Sequence, residues 1–260
     1  MKKANRPTPR PTPRPAPLMI WGLHPVLELL RHQPQQITEL FLLKGRESQG
    51  FHQLNGLATR HGIAVRQVEQ LPIPDADTVT HQGVAATIRP FAPMGFNSLL
   101  ERLAGNNAPL LVVLDSIQDP HNLGAIIRSA AAAGANGIIL PKDRSAPLSG
   151  TVLKASAGTM ALVNLCQVTN LAQTLKELKE EGYWIYGAAG EAGQSLFETS
   201  FSGPICIVIG SEGKGLRPLV AEQCDHLVAI PLAPGVESLN ASVAAGVILF
   251  EIVRQRRPVA

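Results

Sequence analysis

The sequence predicts an α/β protein of two units, and three observations carry that expectation. From Leu110 onward, short apolar runs alternate with segments of helical periodicity, the pattern of a parallel sheet covered on both faces. A smaller strand-and-helix alternation precedes it over residues 18–89, and residues 90–109, rich in proline, glycine and asparagine, connect the two. Apolar residues make up 45% of the 260 and aromatic residues only 4%, which suits an aliphatic core in one large or two small domains.

Residues 1–17 carry a tandem Pro-Thr-Pro-Arg, six prolines, five basic residues and no acid. With almost nothing to bury, this tail is expected to be disordered and polyproline-like. It holds the basic excess of a chain whose net charge is +3, so the rest is close to neutral. A basic tail suits a polyanionic partner; a solvated arm without a partner is the alternative.

Pro25 can occupy a first helical turn, and Val26, Leu27, Leu29 and Leu30 give that helix its apolar side. Strands are expected at residues 37–43, 63–68 and 84–88, with a weak helix over 51–61 that stops at Gly62. His24 and His81 fit structural or RNA-facing roles better than catalytic ones. Within the connection one short helix is expected over 98–104. Beyond it the predicted strands are 110–114, 137–140, 161–166, 184–187, 205–209 and 226–230, and the predicted helices are 122–133, 149–155, 171–181 and 240–254. The last helix is apolar almost all round, so it belongs in a core or against a second copy of the chain.

The strand at 205–209 ends in a glycine-rich turn, Gly210-Ser-Glu-Gly-Lys-Gly215, where backbone amides can face a ligand. In open α/β sheets ligands bind outside the carboxyl ends of strands, so Glu212, Ser238 and Asn240, which follow strand ends, are candidate site residues. Asn122 suits a helix N-cap. Arg128 lies further along the same helix, with Gly124 one turn before it. That setting fits a phosphate or ribose contact, with a structural ion pair as the alternative. Likewise Glu212 could be a solvated turn residue, and Ser238 or Asn240 an N-cap.

Several function classes fail on spacing. No Gly-x-Gly-x-x-Gly follows the first strand of the larger unit, so a dinucleotide-binding dehydrogenase is excluded. Lys214 is not followed by Ser or Thr, so the glycine-rich turn is not a Walker loop. Cys166, Cys206 and Cys224 form no Cys-x-x-Cys pair, which points to a reduced, cytoplasmic protein without a metal centre. No apolar run is long enough for a transmembrane helix, and the N-terminus has no secretory h-region.

Three stretches resemble, in order, the motifs of the SpoU (TrmH) family of RNA ribose 2′-O-methyltransferases, of the SPOUT superfamily. They are Asn122-Leu-Gly-Ala-Ile-Ile-Arg128-Ser, Ile209-Gly-Ser-Glu212-Gly-Lys-Gly-Leu and Ile230-Pro-Leu…Ser238-Leu-Asn240-Ala-Ser. Trp21-Gly-Leu-His-Pro-Val, Leu43-Lys-Gly-Arg and His81-Gln-Gly resemble the ribosomal-protein-L30-like substrate domain of that family. Within it the chain most resembles members that methylate a guanosine ribose of 23S ribosomal RNA; a transfer RNA substrate, or a non-catalytic RNA-binding protein on the same fold, are the alternatives.

The resemblance implies a parallel-sheet trefoil knot over 110–260, behind an L30-like RNA-binding domain over 18–89. It implies S-adenosyl-L-methionine as cofactor, held by the backbone around Gly210, Ile230 and Leu239. It makes Arg128, Asn122, Glu212, Ser238 and Asn240 the catalytic set, RNA the partner, and a homodimer through the C-terminal helix the assembly. No membrane or DNA partner is expected. The family's assignment of Arg128 as general base conflicts with a guanidinium pKa above about 12, so a positioning role stands beside it. Two departures occur: Pro234 where the family commonly has glycine, and Ala241 where it has valine.

Overall fold

The computed structural model describes residues 18–46, 48–73, 76–89 and 92–257. The predicted disordered tail at 1–17 lies outside the described residues. The first unit is β1 (Leu18–Trp21), α1 (Leu23–His32), β2 (Ile37–Leu43), α2 (Gln49–Arg60), β3 (Ala64–Val68) and β4 (Val84–Ile88). Its sheet has the order β1-β4-β2-β3, with β4 antiparallel to both neighbours and β2 parallel to β3. Strand β1 has no counterpart in the sequence reading, because four consecutive apolar residues beside a proline tail carry no alternation. Ser48 caps α2 by accepting from Phe51 N, so that helix starts before the predicted residue 51.

Helix α3 (Phe96–Leu103) follows within the predicted connection, but it packs on the second sheet. Leu99 and Leu103 are buried with Leu111, Val113 and Ile139, and Met94 N donates to Leu165 O at 2.8 Å. This segment therefore covers a sheet face that would otherwise be bare.

The second unit continues β5 (Leu110–Leu114), α4 (Pro120–Ala132), β6 (Gly137–Pro141), α5 (Gly150–Ala155), β7 (Leu165–Val168) and α6 (Leu171–Glu180). After them come β8 (Trp184–Ala188), β9 (Gln194–Ser195), β10 (Ile205–Ile209), α7 (Pro218–Ala221), β11 (His226–Ala229) and α8 (Ala241–Arg256). The seven strands are all parallel, in the order β7-β6-β5-β10-β8-β11-β9. Strand β10 enters between β5 and β8, and β11 between β8 and β9, so the chain returns twice into a sheet already laid down. β5 and β10 are buried along their whole length, as continuous aliphatic runs in a doubly covered sheet should be. The predicted strand at 161–166 lies instead at 165–168. Residues 159–161 form a single 3₁₀ turn after Gly158, whose φ of 84° sends the chain out of α5.

Helix α8 buries Ala245, Ile248, Leu249 and Ile252 completely, and each large aliphatic contributes roughly 1.5–3 kcal/mol. Val243 and Phe250 stay about half-exposed, so apolar residues lie on both sides of the helix as expected, and one acid, Glu251, is buried with them. Its carboxylate accepts from Arg254 Nε and Nη2 at 2.8 and 2.7 Å and from Gln255 Nε2 at 2.8 Å. The Arg254 and Gln255 hydrogen bonds hold the carboxyl down to about 2, against an ordinary 4.5. A depressed folded-state pKa stabilises the fold above the unfolded value, and that contribution is lost as pH falls from about 4.5 to about 2. Glu251→Gln should therefore lower the thermal midpoint at pH 7 and flatten its decline through that acid window. A calorimetric pH series on both proteins checks this.

Candidate active site

The carboxyl ends of β5, β10 and β8, together with the segment after β11, place four loops side by side. The glycine-rich turn closes on itself through Ser211 N to Gly215 O (3.1 Å) and Gly215 N to Ser211 O (2.9 Å). Gly210 makes this closure possible: a Cβ there would meet the Gly215 carbonyl and come within 2.6 Å of Leu216 N. The turn is tied to β5 by Asp115, which is fully buried. Its carboxylate accepts from Arg217 N (2.8 Å) and Arg217 Nε (2.6 Å). Neither Asp115 nor Arg217 was among the expected site residues. The readable signal was an acid directly after a five-residue aliphatic strand, a position that burial makes costly unless the charge is paired.

Asp119, not Asn122, caps α4, accepting from His121 N and Asn122 N at 3.1 Å each, with Pro120 in the first turn. The Asn122 side chain is thereby free for another purpose. Its Nδ2 donates to Glu212 Oε1 at 3.0 Å, and its Oδ1 accepts from Asn240 Nδ2 at 2.9 Å. Asn240 Nδ2 also donates to Glu212 Oε1, and Ala241 N reaches the same oxygen at 3.2 Å. Asn240 is also the cap of α8, its Oδ1 accepting from Ser242 N at 2.9 Å and Ser242 Oγ at 2.6 Å. Three residues spread over 118 positions thus form one hydrogen-bonded network, and Asn240 serves both helix and site. Because Ala241 contributes a backbone amide, its departure from valine leaves the network intact.

Beside this network lies a cavity of about 530 Å³, within the size range of small-molecule sites. Gly210, Glu212, Ile230, Ser238 and Leu239 line it, so of the expected site residues only Asn122, Asn240 and Arg128 do not face it. Asn122 instead lines a second cavity of about 630 Å³ that shares the Glu212 wall. Arg128 lines neither. It is exposed on α4 and makes no ion pair among the described residues, against the structural ion-pair alternative. Gly124, one turn before it, is covered rather than open to a ligand. α5 fills that space, and a Cβ on Gly124 would sit 2.9 Å from both Ser156 N and Val152 O. The three cysteines are free thiols. Burial pushes Cys166 up to about 11, Cys224 up to about 12, and Cys206 well above its ordinary value, so none is suited to act as a thiolate nucleophile.

Comparison with known proteins agrees over both units. Residues 19–94 match the family model for RNA 2′-O ribose methyltransferase substrate binding, and residues 109–250 match that of the SpoU rRNA methylase family. A 23S rRNA (guanosine-2′-O-)-methyltransferase, RlmB, of Shewanella oneidensis is 45% identical over 240 residues, covering 92% of this chain and 98% of that one. The protein of the same description from Escherichia coli K12 is 43% identical over 239 residues, covering 92% and 98%. Among solved structures, the SpoU methyltransferase AviRb of Streptomyces viridochromogenes, in complex with AdoMet, superposes with a TM-score of 0.75 at 25% identity, over 92% of this chain and 90% of that one. The mixed first sheet and the all-parallel second sheet are accordingly those of the trefoil-knot methyltransferases. With ordered motifs, a shared fold and relatives matched end to end, this chain belongs to the SpoU rRNA methylase family.

Proposed function

We propose that this protein transfers a methyl group from S-adenosyl-L-methionine to a ribose 2′-hydroxyl of RNA, on a guanosine of 23S ribosomal RNA. The observation that carries the reading is the cavity lined by Gly210, Ile230 and Leu239, joined at Glu212 to the Asn122–Asn240 network. The residues fit the cofactor. The aliphatic wall of Ile209, Ile230 and Ile248 suits an adenine, and Gly210 and Gly190 keep part of the wall free of side chains. When bound, the cofactor supplies an electrophilic methyl group on a sulfonium.

The chain's own work is positioning, which can supply roughly 7–11 kcal/mol of barrier lowering when two reactants are held in attack geometry. Glu212 gathers the amides of Asn122, Asn240 and Ala241 and so fixes the wall between the two cavities. Ser238 offers a hydroxyl to the first cavity. Arg128, exposed and unpaired among the described residues, presents a planar fork suited to a backbone phosphate, so we assign it to holding RNA. Transfer would form the oxygen–methyl bond as the sulfonium's sulfur–methyl bond breaks, the electron pair staying on sulfur to leave S-adenosyl-L-homocysteine, while the 2′-hydroxyl proton passes to water or phosphate. The L30-like unit over 18–89 would grip the RNA.

We further propose a homodimer through α8. Val243 and Phe250 are 51% and 49% exposed and lie seven residues apart, on one helix face. A second copy would bury that apolar pair. Val243→Glu combined with Phe250→Glu should halve the mass seen by sedimentation equilibrium; an unchanged mass would reject α8 as the interface. No described helix is long and apolar enough to cross a membrane, and the free thiols suit the reducing cytoplasm, where we place the protein.

The test is incubation of the purified protein with methyl-labelled S-adenosyl-L-methionine and protein-free ribosomal or transfer RNA, followed by mapping of 2′-O-methyl positions. Label on a single 23S guanosine ribose is expected. Label only on transfer RNA would correct the substrate, and no transfer to either would overturn the reading.

A further inference from the structure

We infer that the second cavity, on the far side of Glu212, receives the acceptor nucleotide unstacked from its neighbours, with Arg144 and Lys214 holding its flanking phosphates. This rests on the methyltransferase reading and adds to it a substrate site and two binding residues beyond the catalytic and cofactor-binding set named above. The cavity of about 630 Å³ and the smaller one share Ser211, Glu212, Lys214, Gly215, Leu216 and Ala241 as a common wall. Anything seated in the second cavity therefore abuts the network from the side opposite the donor. Its volume suits one nucleotide, not a stacked run, so the nucleotide that carries the reacting ribose would enter it apart from its neighbours.

The charges on the lining point to a polyanion. Each carboxylate at the wall is already engaged inside the protein. Asp119 accepts two α4 amides, Glu212 accepts from Asn122, Asn240 and Ala241, and Asp115 behind the wall holds Arg217. Arg217 is consequently a strut. Arg144 and Lys214 also line the cavity, and neither makes an ion pair among the described residues. Two cations left over beside satisfied carboxylates suit phosphate oxygens, which accept charge-assisted hydrogen bonds from guanidinium and ammonium alike. Backbone geometry adds an independent indication. Arg144 has a φ of 62°, a left-handed conformation that glycine adopts freely and arginine does not. An arginine kept where glycine would relieve strain suggests that its side chain is needed there.

Arg144→Gly is the decisive variant, because it removes the cation while easing the backbone, and Arg144 lines the second cavity alone. The measurements are the thermal midpoint, donor affinity by calorimetry, and KM for 23S RNA across a salt series. The expected result is an unchanged or raised midpoint, unchanged donor affinity, a KM for RNA about tenfold higher, and a log–log salt slope smaller by roughly 0.7. Arg144→Lys should recover part of the RNA affinity, and Arg144→Gln, which keeps most of the stem, should not. A wild-type KM and salt slope in Arg144→Gly would overturn the inference while leaving the methyltransferase reading in place. A wild-type protein that binds no donor and methylates no RNA would overturn both.

Discussion

Glu212→Ala is expected to lower single-turnover methylation by about 10²- to 10³-fold while shifting the thermal midpoint by only a few degrees. One oxygen, Oε1, accepts from Asn122, Asn240 and the first amide of α8, donors on two segments of the chain that only the fold brings together. Removing it releases both asparagine side chains from the wall shared by the two cavities. A displacement of about 1 Å in a positioning group is enough to cost on the order of 10²-fold. Stability should suffer little, because Glu212, Asn122 and Asn240 are accessible enough for water to replace the lost partner, a net cost of about 1 kcal/mol. Glu212→Gln separates charge from shape. It keeps an acceptor oxygen, but neutral hydrogen bonds are about half as strong as charge-assisted ones, so an intermediate rate is expected. A Glu212→Ala protein within threefold of the wild-type rate would remove the network from the mechanism.

Gly150→Ala should release the first unit from the second, raising KM for RNA by about tenfold and leaving donor affinity unchanged. Gly150 opens α5, and a Cβ there would fall inside the van der Waals boundary of the Met19 carbonyl oxygen on β1, with Trp21 Cζ3 at 3.6 Å. The obstruction is backbone, so no rotamer change relieves it. The same junction carries Lys154 over the Trp21 ring at 5.3 Å and Gly158 packed close to Pro25 O. Buried side chains of α1, β1 and α5 also belong to one continuous apolar core across both units. Overpacking of this kind costs about 1–3 kcal/mol. Limited proteolysis checks the structural part: cleavage between β4 and α3 should accelerate in the variant. If protection and KM both match the wild type, the two units do not depend on this contact.

The differing costs of these two glycine neighbourhoods illustrate how far residue patterns reach. Gly210 was singled out because it follows an aliphatic strand within a glycine-rich turn, and the structure gives the reason in the Gly215 backbone pressed against it. Gly150 carried no such local mark. Its constraint comes from Met19, well over a hundred residues earlier. Arg128 is the converse case, prominent in the sequence yet outside both cavities of the single chain.

By itself the sequence determined the α/β class, the parallel character of the second sheet, the identity of the glycine-rich turn and the polar residues that end its strands. These follow from periodicity, turn chemistry and local motif order, all of which are properties of neighbouring residues. Only the tertiary structure decided that β10 lies between β5 and β8, that Asp119 takes the cap and frees Asn122, and that Asn122, Glu212 and Asn240 meet. The physical reason is that strand pairing is made by backbone groups nearly blind to side-chain identity. An aliphatic run specifies that a strand is buried on both faces, and leaves open which strands it will lie between.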